Sequence, residues 1–372
     1  MDARTLHNRT ELGLQLFDVL RRQGVFGPRL REPDGTGVHQ AGTTVYSLDD
    51  GEPVFSRRTI TSVRPEVAGY VDIALQPWLG WPVIAVNLDA RWDPQGFQDS
   101  ATLLGYRCRR WVSYAGGRAA LQCNGVLLDP YRAKGGELFV VPPREAVTDW
   151  GLSEERQDQN RDLYDEWNAA LAMGAATLRA AEAQVQSNAL ELCAMSDHPR
   201  IGHLCLSRFA ERRILWCVPA ALEMAIEYLL AQKTEGRYQG ILARSLGLYG
   251  GTGLGDARRT LQAVPDSTNK AVTITEVDVT LTEVRSAIDQ QQPLALLTSN
   301  HAFLVFGYSG VLLPRATHLE PTMVRVVNPW GRGLEFIPLA AHGSYLFRLQ
   351  RAPSPREGGL GGTRHPAPMA PA

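Results

Sequence analysis

Three residue types in the C-terminal half of the chain are those that nucleophilic catalysis requires, and Cys217 is the first. Pro219 is tolerated in a helix only within the first turn, so the apolar run around it predicts a helix that begins near Trp216 or Cys217. Backbone N–H groups and the positive end of the dipole at a helix N-terminus favour a thiolate. Cys217 is therefore a candidate nucleophile. The alternative is a small buried apolar residue, the role of most single cysteines.

His301 and Asn328 each lie at one end of an apolar, β-prone run. His301 precedes the apolar run 302–308, which predicts a strand buried on both faces. We expect the imidazole, at the start of that strand, to be accessible and yet firmly positioned. Asn328 ends the run 324–327, and its side-chain oxygen can accept a hydrogen bond from an imidazole N–H. Each residue also has an ordinary alternative, a core or rim histidine and an Asn-Pro turn.

The order Cys217, His301, Asn328, with separations of 84 and 27 residues, is more specific than any one of these residues. With this order the sequence resembles the papain-like cysteine peptidases, and most closely their bacterial branch of bacteriocin-leader and plant-pathogen effector peptidases. The segment Asn328-Pro329-Trp330-Gly331 is similar to the calpain form of the family's Asn-x-Trp-Gly motif. A capping box at 280–283, followed by a helix, a proline and a strand that leads to His301, is similar to the same branch. The resemblance spans about residues 201–349.

The resemblance implies a role for each of these residues. Cys217, next to Trp216 at the helix start, would be the nucleophile and His301 the general base. Asn328 would hold the imidazole in its working tautomer, and Trp330 would shield their hydrogen bond from water. Extended peptides or proteins would be the substrates, and no cofactor or metal would be needed.

Glu211 departs from the family pattern, because the family usually has a glutamine six residues before the nucleophile to donate to the oxyanion. An ionised carboxylate accepts hydrogen bonds only and cannot do this. We expect Arg212 or Arg213 to supply that donor, together with the backbone N–H of Cys217.

Two other classes of function share these residues. The same thioester serves acyl transfer to amines, as in transglutaminases, and glutamine deamidation. A catalytically inactive papain-like binding module is the third reading, and Glu211 is the feature that favours it.

The remaining sequence predicts the elements that must position these residues. In residues 1–150 we expect a helix from Thr10 to Gly24 and then, over 35–142, a mostly antiparallel β module in which Asn124-Gly125 favours a type I′ turn. Residues 151–198 read as a helical connector, helical from Ser153 to Met195. Residues 199–351 are expected to form an α+β, two-lobed papain-like domain with a helical lobe and a β lobe. The Pro/Gly-rich tail 352–372 predicts disorder.

Composition narrows the function further. The chain has 38 Lys and Arg residues against 39 Asp and Glu residues, so its net charge provides no positive electrostatic field that would attract nucleic acid. No run of residues is long and apolar enough to span a membrane. Five cysteines without a CxxC pair suggest neither a disulfide framework nor a zinc site. The charged N-terminus does not resemble a signal peptide, so we expect cytoplasmic synthesis. The effector-peptidase resemblance would make the chain a bacterial effector or toxin, exported by a specialised secretion system.

Overall fold

The computed structural model describes residues 1–27, 30, 37–38, 42–61, 69–89, 92–114, 117–134, 137–143, 146, 150, 152–172, 184–192, 216–232, 234, 237–247, 257–298, 301–312, 322–329, 333–339, 342 and 345–353.

The first helix is longer than the sequence predicted. Helix α1 spans Ala3–Arg22 and is capped by Asp2, whose carboxylate accepts a hydrogen bond from a first-turn backbone N–H. Thr10, the expected cap, lies buried inside the helix and donates its hydroxyl to the carbonyl of Leu6. The predicted stop is confirmed, because Gly24 has a φ of 84°, which suits glycine. The buried face of α1 covers the β module.

The β module is largely the antiparallel arrangement that was predicted. Its strands are β1 Gly37–Val38, β2 Thr43–Ser47, β3 Pro53–Thr61, β4 Gly69–Ala74, β5 Val83–Asn87, β6 Cys108–Tyr114, β7 Arg118–Cys123, β8 Val126–Lys134 and β9 Glu137–Val141. Within this part of the described chain, β2 and β6 alone pair in parallel. Asn124 and Gly125 have φ of 43° and 81°, which confirms the predicted turn between β7 and β8. Helix α2, Pro94–Leu103, was not predicted, although Asp93 caps it.

The sequence suggested no disulfide framework, but the described residues contain one disulfide. Cys108 and Cys123 are directly opposite on β6 and β7 and are bonded to each other. Sequence spacing did not reveal the pair, because strand register, not a CxxC motif, brings the two sulfurs together.

The helical prediction for 153–195 is half correct. Helix α3 spans Glu154–Ala172, but Gln184–Ala189 forms strand β10, so Val185 does not continue the helix. This strand pairs with a C-terminal strand at Gly307, where a Cβ would lie 2.7 Å from the Cβ of Ala189. Close backbone pairing at that glycine overrides the helix propensity of the segment.

The C-terminal region alternates helices and strands. The elements are helices α4 Cys217–Leu230, α5 Arg237–Ser245, α6 Ala257–Ser267 and α7 Leu281–Asp289, and strands β11 Val272–Val277, β12 Leu294–Leu297, β13 Ala302–Leu312, β14 Thr322–Asn328, β15 Gly333–Ile337 and β16 Tyr345–Arg351. Thr280 caps α7 by accepting from the backbone N–H of Glu283, which confirms the predicted cap.

One sheet joins the two regions, and the fold is mixed α+β. Its order is β11-β16-β12-β13-β14-β15-β5-β4-β3-β2-β6-β7-β8-β9, with β10 beside β13 and β1 beside β3. The junction is the antiparallel pair β15 and β5, in which Glu335 lies opposite Asn87 and Phe336 opposite Val86. One hydrophobic core lies in the N-terminal region and a second surrounds α4. Among the described helices none is long and apolar enough to cross a membrane.

Candidate active site

Cys217 is the first residue of α4, as the sequence predicted. Trp216 is the helix N-cap, and Cys217 is buried with 6% of its surface exposed. Helix α4 packs against β12 and β13 in the C-terminal core. Cys217 therefore lies at the positive end of a helix dipole, which favours a thiolate, whereas its burial in an apolar core opposes one.

Helix α4 is buried on all sides, not along the predicted stripe alone. Glu223 and Glu227 are among its buried residues. Glu223 accepts from the backbone N–H of Tyr238 at 2.9 Å, and Glu227 accepts from the hydroxyl of Thr234 at 2.9 Å. These carboxylates anchor the segment after α4, which fixes the axis of the helix that presents Cys217.

His301 lies at the end of a tight connection between β12 and β13. The backbone N–H of Thr298 donates to the carbonyl of His301 at 2.8 Å, and the backbone N–H of His301 donates to the Thr298 hydroxyl at 2.9 Å. The ring of Phe303 meets the imidazole edge-on, with centroids 4.6 Å apart. His301 is only 1% exposed, so the expectation of an accessible imidazole is wrong. Its position is fixed by the turn and by packing.

Asn328 ends β14, the strand next to β13, and its Oδ1 lies 3.0 Å from Nε2 of His301. Because Leu304 on β13 pairs with Val327 on β14, His301 and Asn328 lie at the same end of these two strands. The contact expected between these side chains is present. The contact between His301 and Asn328 lies beside Phe303, which belongs to the C-terminal hydrophobic core.

Glu335 and Asn87 extend the contact beyond the residues that the sequence indicated. Asn328 donates its Nδ2 hydrogen to Oε1 of Glu335 at 3.1 Å, and Asn87 donates to the same oxygen at 2.9 Å. Burial raises the pKa of Glu335, while the two amide donors and Arg57 act to lower it. The sequence did contain a sign that Glu335 has a special role, because it is a carboxylate in the middle of the apolar run 333–337. Asn87 carried no signal, because its strand pairing across the two regions was not foreseen.

A cavity of about 180 Å³ is lined in part by Asn328. Asn328 and Phe303 border it from the C-terminal region, and Arg57 and Tyr70 border it from the β module. The Arg57 guanidinium binds both carboxylate oxygens of Asp72 at 2.7 Å, and it lies 4.0 Å from the centre of the Tyr70 ring. Part of the cavity wall is thus a buried ion pair, in which the positive charge of Arg57 is balanced by the negative charge of Asp72.

His342 lines the same cavity and is held neutral. Its Nε2 lies 3.1 Å from the carbonyl oxygen of Ile84, which can only accept, so Nε2 carries the proton. Burial lowers the pKa of His342 to about 4, against the smaller opposing effect of this hydrogen bond. His342 is therefore a structural link between the two regions, and it is distinct from the histidine predicted for catalysis.

Several predicted site residues lie outside the described part of the chain. These are Glu211, Arg212, Arg213 and Trp330, together with the tail beyond residue 353. Of the predicted residues, the structure joins His301 to Asn328 and places Cys217 at the start of the helix that packs on the following strand. Within the described residues no group of three His, Cys, Asp or Glu side chains is arranged to hold a metal ion.

Comparison with protein-family models, with curated proteins and with solved structures finds no match to this chain.

Proposed function

We propose that the chain is a cysteine peptidase of papain-like type that cleaves a peptide or protein through a thioester on Cys217. The observation that carries the proposal is the 3.0 Å contact between Nε2 of His301 and Oδ1 of Asn328. Among the described residues, Cys217 is the one cysteine outside a disulfide, and it begins the helix that packs against the strand after His301. This combination of nucleophile, base and orienting amide is the one that the sequence resemblance implies.

The hydrogen bonds around Asn328 support a definite tautomer for His301. Nδ2 of Asn328 donates to the Glu335 carboxyl, so Oδ1 is the end of the amide that faces the imidazole. An amide oxygen only accepts, and Nε2 of His301 must therefore carry a proton. In the neutral ring Nδ1 then has the lone pair, which makes Nδ1 the atom that exchanges a proton with Cys217.

The reaction follows from these roles in two steps. The Cys217 thiolate attacks the substrate carbonyl, the S–C bond forms, and the C–N bond breaks as the His301 imidazolium gives its proton to the leaving amine. A water molecule, deprotonated by His301, then attacks the thioester and releases the carboxylic acid with the Cys217 thiol. Asn328 keeps the ring in one orientation throughout both steps.

The oxyanion of each step requires hydrogen-bond donors. The backbone N–H of Cys217, in the first turn of α4, is the first donor that we propose. Arg212 or Arg213 would supply the second, in place of the glutamine that Glu211 replaces. Loss of one such donor costs about 10²–10³ in rate, so a substitution at the correct arginine should be readily detected.

The test is a proteome digest with the purified chain and its Cys217→Ala and Asn188→Ala variants. New peptide N-termini are labelled and identified by mass spectrometry. The expected result is new N-termini with the wild type and Asn188→Ala and none with Cys217→Ala. Asn188 is the matched control because it donates a hydrogen bond to Asp289 at the protein surface and has no part in the proposed reaction.

The alternatives are separated by the same experiment run with a labelled primary amine. Incorporation of the amine without new N-termini would indicate a transglutaminase, and a mass increase of about 1 Da at glutamines a deamidase. No covalent change, with Cys217 reacting as an ordinary thiol of pKa roughly 8.5, would indicate a binding module.

A further inference from the structure

Glu335 is a buried carboxyl group that the two-step reaction does not use. It is 8% exposed, and its Oε1 accepts hydrogen bonds from Asn328 and from Asn87. A buried carboxylate is unfavourable unless its hydrogen bonds offset the loss of hydration. A leucine at this position of β15 would fill a similar space without that penalty. The carboxylate is therefore expected to serve a function that a leucine cannot.

We propose that Glu335 is a positioning residue of the active site and that Asn87 of the N-terminal β module holds it in place. The proposal rests on the proposed peptidase chemistry of Cys217, His301 and Asn328, and it deepens that chemistry. It makes the β module a part of the catalytic machinery, joined to it by the strand pair β5 and β15.

The reason lies in the two ends of the Asn328 amide. Turning this amide by 180° would direct its oxygen at Oε1 of Glu335, where two acceptors would face each other. It would also direct the NH₂ group at Nε2 of His301, which would then have to be the unprotonated nitrogen. The proton would move to Nδ1, the atom that must receive the proton of Cys217. Glu335 therefore selects the productive orientation.

Asn87 is oriented by its own neighbours and not by Glu335 alone. Its Oδ1 accepts from the backbone N–H of Asp89 at 2.9 Å, so its NH₂ group is directed at Glu335. The sheet register places Asn87 directly opposite Glu335. A backbone N–H in one region thus fixes, through two side chains, the amide that orients His301 in the other.

The experiment compares Glu335→Leu, Glu335→Gln, Asn87→Ala and the matched control Val86→Ala. Val86 pairs with Phe336, next to the pair of Asn87 with Glu335. Its truncation therefore loosens the same strand junction but leaves the hydrogen bonds of Glu335 with Asn87 and Asn328 in place. We expect Glu335→Leu to lower kcat about tenfold with KM unchanged, because the loss of a hydrogen bond to a charged group is reflected in catalysis. Glu335→Gln keeps an acceptor oxygen and should stay within about threefold of wild type, as should Val86→Ala. Asn87→Ala should fall between Glu335→Leu and wild type.

The second readout is the ring tautomer of His301, measured by ¹⁵N NMR of histidine-labelled protein above the imidazole pKa and assigned with His301→Gln. Wild type should show the proton on Nε2, and Glu335→Leu should show a mixture. Full wild-type kcat and an unchanged Nε2–H tautomer in both Glu335→Leu and Asn87→Ala would overturn the positioning role. If Glu335→Leu does not fold, Asn87→Ala decides the same question. A wild type without Cys217-dependent turnover would refute the proposed function instead, since the tautomer measurement does not depend on turnover.

Discussion

Nε2 of His301 lies 3.0 Å from Oδ1 of Asn328, although His301 directly precedes β13 and Asn328 is the last residue of β14. Pairing of β13 with β14 brings them together, and the Glu335 carboxyl determines which end of the amide faces the ring. In the proposed peptidase, this orientation keeps a proton on Nε2 of His301.

The first prediction concerns Asn328→Ala. Without the amide the imidazole can rotate and exchange tautomers, and a hydrogen bond to the charged ring is lost, which is worth about 1.5–3 kcal/mol. We expect kcat to fall about 10- to 100-fold with KM little changed, measured on a peptide cleaved by the wild type. Asn188→Ala, a matched asparagine on β10, should keep wild-type kcat. Equal turnover in the Asn328 variant would make Asn328 a turn residue only.

The sequence predicted the local elements of the site well, because they depend on nearby residues. Pro219 located the start of α4, the cap at Thr280 located α7, and the apolar run after His301 located β13. The contact of His301 with Asn328 was an implication of the resemblance to papain-like peptidases, not of either residue's local sequence.

Long-range pairing could not be predicted in the same way. Strand β10 reads as helix by composition, and only its partner at Gly307 makes it extended. The pairing of Asn87 with Glu335 joins residues far apart in the chain, and nothing local to either one indicates the other. The disulfide between Cys108 and Cys123 likewise depends on strand register.

A second prediction concerns that disulfide. The bond closes a loop with a sequence separation of 15 residues, for which the loss of chain entropy in the unfolded state predicts about 3 kcal/mol of stabilisation. A Cys108→Ser/Cys123→Ser variant should lose about this much free energy of unfolding in urea while Cys217 reactivity stays the same. Under a strong reductant the variant and the wild type should unfold together. Identical urea curves without reductant would show that the bond adds no stability.

A third prediction concerns the acid stability set by His342. Its pKa is lowered to about 4 in the folded protein, below the unfolded value of about 6.5, so the folded state binds fewer protons. The stabilisation is present above pH 6.5 and is lost as the pH falls to 4, by about 3 kcal/mol. His342→Gln, which can still donate to the Ile84 carbonyl, should remove that part of the loss between pH 7 and pH 4. An unchanged pH dependence of urea unfolding would contradict it.

A fourth prediction concerns the ion pair of Arg57 and Asp72 in the cavity wall. Both side chains are 3% exposed, so Asp72→Ala leaves a buried cation without its carboxylate. We expect a loss of about 3–5 kcal/mol in the free energy of unfolding. Replacing both residues by leucine should cost less than Asp72→Ala, because no charge is then buried. A larger loss in the double variant would indicate that the pair is needed for packing of the aromatic side chains around Arg57.

The most direct test is the pH dependence of Cys217 alkylation by iodoacetamide, mapped by peptide mass spectrometry in the wild type and in His301→Ala. A thiolate held by a helix N-terminus and an imidazolium reacts well below the pH range of an ordinary thiol. We predict that at pH 6 Cys217 is labelled faster than Cys193 and Cys205, while Cys108 and Cys123, which are bonded to each other, are not labelled. The His301→Ala substitution should move the reaction of Cys217 to roughly pH 8–9. The same profile in both proteins, with Cys217 unreactive below pH 8, would contradict the proposal that Cys217 and His301 form a catalytic pair.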